Sequence, residues 1–105
     1  VITLSYIIPT YNNLNLLKRC INSILTQLDK GDQIIIIDDG STDGTVEFLK
    51  NTYKDNNEVL ILQQQNSGSG KARNFGVENS RSDYIWFVDS DDFLEKNASK
   101  KLKKC

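Results

Sequence analysis

Histidine does not occur in this sequence. Its absence removes the commonest general base, the Ser–His and Cys–His nucleophile pairs, and every imidazole metal site. Any acid–base chemistry falls to carboxylates, lysine or tyrosine. Cysteine is scarce: Cys20 lies inside a helical pattern and Cys105 at the terminus, a spacing that matches no metal-ligand motif and fits a reduced, intracellular setting. There is no excess of basic charge either, since 13 Lys and Arg against 14 Asp and Glu leave a net charge of -1, which argues against general nucleic-acid binding. No apolar run approaches the roughly 20 residues needed to span a bilayer, and no segment has a signal-peptide pattern. The expected location is cytoplasmic. With 105 residues the chain holds at most one domain, large enough to bury a core.

What is present alternates between strand and helix. Thr3 to Ile8 reads as a strand stopped by Pro9, the single proline, which has no N–H for a ladder. Leu14, Leu17, Ile21, Ile24, Leu25 and Leu28 then recur at helical spacing, with Cys20 on the flank of the stripe. Gln33 to Ile37 predicts a second strand, and Asp43 a cap for a helix carrying Val46, Leu49 and Lys50 that closes near Asn56-Asn57. Glu58 to Gln63 and Tyr84 to Val88 predict two further strands, Ala72 to Asn79 a third helix, and a basic helix follows from about Glu95. Tyr84 to Val88 is apolar throughout and reads as fully buried. This β-α-β alternation predicts an α/β, Rossmann-like, mostly parallel sheet flanked by helices on both faces, with right-handed crossovers. The lysine-rich last helix has no strand after it, so residues 1–105 are expected to be one domain cut from something longer.

In an open parallel sheet, ligands bind outside the carboxyl ends of the strands. All the chemically unusual segments fall there: Pro9-Thr10-Tyr11-Asn12, Asp38 to Asp43, Asn66 to Asn74, and Asp89-Ser90-Asp91-Asp92. The opposite edge offers Gly31-Asp32, Asn56-Asn57 and Ser80-Arg81-Ser82, which read as ordinary turns. Asp89, Asp91 and Asp92 crowd three like charges together, a repulsion that a hard cation such as Mg²⁺ or Mn²⁺ would relieve. One of Asp38 and Asp39 is expected to point inward or along the sheet edge and the other toward solvent or ligand, unless the pair only forms a turn into a helix cap. Gly68 and Gly70 lie in a loop entering a helix whose N–H groups suit an anion. Lys71 and Arg73 sit in or near its first turn, where the dipole disfavours a cation by roughly 0.3–1 kcal/mol and a bound diphosphate would reverse that. Tyr11 either stacks on a heterocycle or packs on the following helix. Two familiar loops are excluded. Gln65 and Ala72 break a P-loop, and the absence of a sixth-position glycine with Lys100 at position 12 breaks a calcium loop.

With these four segments in order, the chain resembles the amino-terminal half of inverting nucleotide-sugar glycosyltransferases of family two, which have the GT-A fold. The resemblance runs from Ile7 to about Leu94 on Ile7-Ile8-Pro9-Thr10-Tyr11-Asn12, Ile37-Asp38-Asp39-Gly40-Ser41-Thr42-Asp43, Asn66 through Arg73-Asn74, and Asp89-Ser90-Asp91-Asp92. It implies that Pro9, Thr10 and Tyr11 line a base pocket, with Tyr11 against the ring. It implies that Asp39 accepts from the base imide and that Asp38 supports the pocket. Arg73 would sit beside base and diphosphate, helped by Lys71 and the Gly68–Gly70 loop. Asp89 and Asp91 match the family's Asp-x-Asp, with Asp89 toward ribose or metal and Asp91 on the Mn²⁺ or Mg²⁺. Asp92 adds a third carboxylate beside them. The implied donor is a UDP-sugar and the implied acceptor, for a longer parent, a glycan or lipid-linked molecule of a bacterial cell-surface polysaccharide. Peripheral attachment to the cytoplasmic face of a membrane is compatible with this. In the family the catalytic base lies in the second half, so no catalytic residue is expected here.

Three rivals remain at this point. A receiver-like phosphoacceptor domain would place its acidic pair after the first strand, where Pro9-Thr10-Tyr11-Asn12 stands. A nucleotidyltransferase would place its glycines there too. A non-enzymatic interaction domain would use the lysine-rich last helix on acidic partners or anionic lipid.

Overall fold

The computed structural model describes residues 2–104, without the side chains of Leu102 and Lys104; Cys105 lies outside the described residues. Four strands and four helices alternate: β1 Leu4–Thr10, α1 Leu14–Leu25, β2 Gln33–Asp38, α2 Thr45–Thr52, β3 Val59–Gln63, α3 Ser69–Glu78, β4 Tyr84–Phe87 and α4 Ala98–Lys104. The sheet is parallel throughout, in the order β3-β2-β1-β4. The expected α/β, helix-flanked fold is therefore present. Strand order reverses between β1 and β4, and at such a reversal a crevice opens beyond the strand ends.

Alternation along β1 and β2 builds two cores. Tyr6, Ile8, Ile34 and Ile36 meet Leu17, Cys20, Ile21 and Ile24 of α1 and Leu49 of α2 on one face. Ile7, Ile35 and Ile37 meet Ala72 of α3 on the other. The two central strands are buried on both faces, which explains their unbroken apolar runs.

Several boundaries depart from the sequence reading. Pro9 does not stop β1, which continues to Thr10 in register with Asp38. The backbone of Ile7 faces β4, accepting from Val88 N–H, whereas Thr10 faces β2 and accepts from Asp39 N–H. By alternation Pro9 turns its missing donor toward β4, so it ends only that ladder, where β4 itself ends. The fourth strand is not fully buried: Tyr84 is 59% and Phe87 48% exposed, because β4 is an edge strand and α3 packs over β1 and β2 instead. Asp43 is not the residue preceding α2; Gly44 is. Asp43 stands one place earlier, accepts from Thr45 N–H and hydroxyl, and also takes the first N–H of α1 at Leu14, 3.2 Å away. The second helix closes at Thr52, before Asn56-Asn57, and α4 begins at Ala98 rather than Glu95.

The edge opposite the strand ends is more than ordinary turns. Asp32 is fully buried, accepting from Leu4 N–H at 2.9 Å and from the Lys103 ammonium at 3.0 Å, which ties α4 to the start of β1. Beside it, Ser5 donates to Gln33 Oε1, which also accepts from Arg81 N–H, while Ser80 donates to Ser5. A turn residue carries no sign in sequence that its carboxylate will be enclosed.

Candidate nucleotide and metal site

The strand ends bring four loops together. Asp39, 9% exposed, lies on the α3 side of the sheet. Its Oδ1 accepts from Ser67 N–H at 2.6 Å and Gln64 Nε2 at 2.9 Å, and its Oδ2 from Gly68 N–H at 3.1 Å. Burial pushes its pKa up, but these three donors outweigh burial and hold it below the ordinary 3.8. Asp39 is thus an ionised acceptor at neutral pH, and a carboxylate offers about four lone-pair sites, so three bonds leave one for a ligand N–H. A hollow of about 120 Å³ opens beside it, lined by Pro9, Thr10, Tyr11, Asp39, Ser69 and Ala72. Tyr11 is half-exposed there and does not pack into the core.

Asp38 lies on the opposite face of β2 and is 2% exposed. Its Oδ2 accepts from Gly40 and Ser41 N–H at 3.1 and 2.9 Å, while its Oδ1 and the hydroxyl of Thr10 are buried without a partner. Asp38 is therefore the inward member of the pair and Asp39 the one that borders the hollow, though little of it is exposed. Gly40 takes φ +94°, a left-handed turn that L side chains rarely adopt, and this lets the chain reverse between the two loops that Asp38 and Asp39 hold. Asn12 locks the first loop to the second: its N–H donates to Ser41 Oγ at 2.8 Å and its Oδ1 accepts from Thr42 N–H at 2.7 Å.

Helix α3 starts at Ser69, three residues earlier than the sequence suggested, so Arg73 lies in its second turn and only Lys71 in its first. Arg73 reaches the acidic loop, its guanidinium 3.6 Å from Asp89 Oδ1 and 5.9 Å from the Phe87 ring centroid. Lys71 and Gly70 are exposed beside the hollow, and Gly68 enters through its bond to Asp39. Asp89, Asp91 and Asp92 are all exposed, and each offers a carboxylate oxygen within 4.8 Å of the others. Three oxygen donors at that separation fit a hard divalent cation. Gln64 was missed in sequence, and Asn12, Ser67 and Ser69 were read only as members of their loops, with no role of their own; the asparagine's positive φ of 47° is a fold-level feature.

A parallel sheet that gathers the Asp39 hollow, a helix start, an arginine and a carboxylate triad along one edge defines a Rossmann-like α/β domain with a candidate ligand site at its strand ends. The sequence matches Glycosyl transferase family 2 over residues 5–104, and the chain belongs to that family. It is 39% identical to the glycosyltransferase GlyA of Streptococcus pneumoniae over 101 residues, covering 96% of this chain and 14% of GlyA. It is 42% identical to a chondroitin synthase of Escherichia coli, covering 90% of this chain and 14% of that protein. A solved structure of S. aureus TarS in complex with UDP superposes with a TM-score of 0.87 at 30% identity, covering 97% of this chain and 31% of that one. The resemblance read from the four motifs and the predicted GT-A-type sheet are thereby borne out. The chain spans under a third of these proteins, and no helix among its described residues is long and apolar enough to cross a membrane.

Proposed function

We propose that this chain is the donor-binding module of an inverting glycosyltransferase and holds a UDP-sugar together with Mn²⁺ or Mg²⁺. One observation carries the reading: the Asp39 hollow and the acidic triad lie on the same sheet edge, with Arg73 from the helix beside the hollow reaching Asp89 at 3.6 Å. The likeness to TarS, solved with UDP, supports it.

In this reading Tyr11 stacks on the base, Pro9 and Thr10 floor the pocket, and Asp39 accepts the imide N–H with its remaining lone pair. Asp38 braces the turn beneath. Arg73, with Lys71 and the Gly68–Gly70 loop, faces the diphosphate. Asp89 and Asp91 hold the metal, with Asp92 adjacent. When bound, that metal supplies positive charge against the departing nucleoside diphosphate. An acceptor hydroxyl, on a glycan or lipid-linked molecule, attacks the anomeric carbon opposite the diphosphate and inverts it after a carboxylate takes its proton. That base and most of the acceptor site belong to sequence outside residues 1–105, so this segment alone turns over no faster than a metal-only control. The parent works at the cytoplasmic side, where peripheral association with the membrane face is compatible with a lipid-linked acceptor.

Calorimetric or NMR titration with UDP, with and without Mn²⁺ and with GDP as comparator, tests this. Metal-dependent UDP binding that vanishes in Asp91→Ala is the expected result. Preference for GDP would change the donor. Binding of neither nucleotide would refute a self-sufficient donor site.

A further inference from the structure

Among the described residues, the loop that carries the three carboxylates makes no backbone–backbone hydrogen bond to α1, α2, α3 or the sheet. Asp92 N–H to Asp89 O and Ala98 N–H to Glu95 O lie within the segment, and Lys101 N–H to Asn97 O joins it to α4. Its burial is slight too, since Asp89, Asp91, Asp92 and Phe93 are all exposed. Leu94 packs on the core and the Arg19 guanidinium lies 4.7 Å from the Phe93 ring centroid, and a stripe of side chains on and beside α1 supplies the hydrogen bonds that hold the rest. Asn13 Nδ2 donates to Ser90 Oγ at 3.2 Å, Arg19 to Asp91 O at 3.3 Å and Cys20 Sγ–H to Asp89 O at 3.7 Å. One turn further, Ser23 Oγ donates to Cys20 O at 2.7 Å, which leaves its lone pair to accept Leu94 N–H at 2.9 Å. Gln27 then closes the far end, giving its Nε2 to Glu95 O at 2.7 Å and taking Ser99 N–H on Oε1 at 3.1 Å. Cys20 and Ser23 are three apart and Arg19 and Ser23 four, the spacings of neighbours on a helical face, with Asn13 just before α1 and Gln27 just past it.

We propose that this polar stripe sets the separation of the carboxylates and hence the affinity for a divalent cation, with Ser23 and Gln27 as positioning residues; this rests on the metal reading of Asp89, Asp91 and Asp92 given above. The stripe pins the loop at 89–91 and again at 94–99, with Asp92 between the pins. Neither Ser23 nor Gln27 touches a carboxylate. Their effect passes through the backbone, one step further out than partners that hydrogen-bond a ligand directly, whose loss weakens binding by about 10–100-fold, so the low end of that range is expected here.

The test is Mn²⁺ binding by electron paramagnetic resonance, in the presence of UDP, for wild type, Ser23→Ala, Ser23→Thr and Gln27→Ala, with amide exchange followed at Leu94. Ser23→Ala is expected to raise the Mn²⁺ dissociation constant about tenfold and to speed Leu94 exchange. Ser23→Thr, which keeps the hydroxyl, restores both. The Asp39 and Gly68 amide shifts, on the base side, stay unmoved, which a general loss of structure would not allow. If Ser23→Ala does not fold, Gln27→Glu reads the same loss, because it keeps the acceptor for Ser99 and removes the donor to Glu95. Unchanged Mn²⁺ affinity in these variants, with Asp91→Ala abolishing it, overturns the positioning role alone. Failure of the wild type to bind Mn²⁺ overturns the metal reading as well.

Discussion

Two glycines of one helix should respond to the same substitution with opposite sign. Gly76 lies in the interior of α3, where it is buried against the sheet. A Cβ added there would stand 2.6 Å from Ile7 Cγ2, 3.0 Å from Ile37 Cδ1 and 3.3 Å from Ile7 Cδ1. The Ile37 contact is with the far end of a side chain and can yield. Ile7 Cγ2 cannot yield so easily: it is bonded to Cβ on a central strand, between Ile35 and Phe87, and moves only with χ1 or the backbone. An off-rotamer side chain costs about 0.5–1.5 kcal/mol and overpacking of a tight core about 1–3 kcal/mol. Against this, alanine gains about 0.8–1.0 kcal/mol over glycine in helix propensity. Gly76→Ala should therefore destabilise by about 1–2 kcal/mol, a fall in Tm of roughly 5–15 °C for a domain of this size. Gly70→Ala in the first turn has nothing within 4 Å of the new Cβ and should stabilise by about 0.5 kcal/mol. Urea and thermal unfolding of the two variants beside wild type make the comparison. A Gly76→Ala protein as stable as wild type would show that α3 can lift off the sheet freely, and the close-approach argument would be wrong.

Lys103→Met should destabilise by about 2–3 kcal/mol, below the 3–5 usual for a broken buried pair because Asp32 keeps its bonds to Leu4 and Asp29 N–H; a loss under 0.5 kcal/mol in urea melts would contradict the anchoring of α4. Cys20 should resist thiol reagents at pH 8 in a Cys105→Ser background, since burial first, then the Asp92, Asp89 and Asp91 carboxylates, push its thiol up to about 12; rapid modification before unfolding would count against its burial. Asp39 should support stability in an acid-sensitive way. Its folded pKa lies below the ordinary 3.8, so its contribution is complete above that value and is lost as pH falls through the folded one. The difference in urea midpoint between wild type and Asp39→Asn should be constant from about pH 7 to 5 and shrink toward pH 3; an equal difference at both ends would refute the linkage.

The fold was legible because burial on both faces leaves a signature in composition. The isoleucines of β2, β-branched and bounded by turn residues, fit a strand buried on both faces, and the apolar stripe of α1 fits one helical face. Edge position left no such mark: Tyr84 to Val88 is as apolar as a central strand, yet it borders solvent on one side. The candidate site was legible as a set of loops, since parallel topology delivers every strand end to one side. How the loops hold one another was not. That Gln64 and Ser67 would donate to Asp39, or that Asn12 would bridge to Thr42, depends on contacts 25 to 30 residues apart. Pro9 shows the same limit, because which ladder it ends depends on which neighbour its nitrogen faces.

The cross-links between the loops are unequal, and the inequality has a direction. The first loop is tied to the second through Asn12 and Asp43, and the second to the third through the three bonds on Asp39. The fourth is tied to α1 by the side chains of Asn13, Arg19, Cys20, Ser23 and Gln27. Between the third and fourth loops stands the pair of Arg73 and Asp89, 3.6 Å apart with side chains 38% and 65% exposed. Exposed pairs of that kind contribute about 0–1 kcal/mol, whereas Asp39 is held by three separate donors, all part-buried. Arg73 can therefore leave Asp89 at little cost when a stronger anion arrives, without disturbing the bonds on Asp39. Arg73 thus stands between the bonds on Asp39 and the side-chain bonds of the acidic loop, and it can change partner without breaking either set.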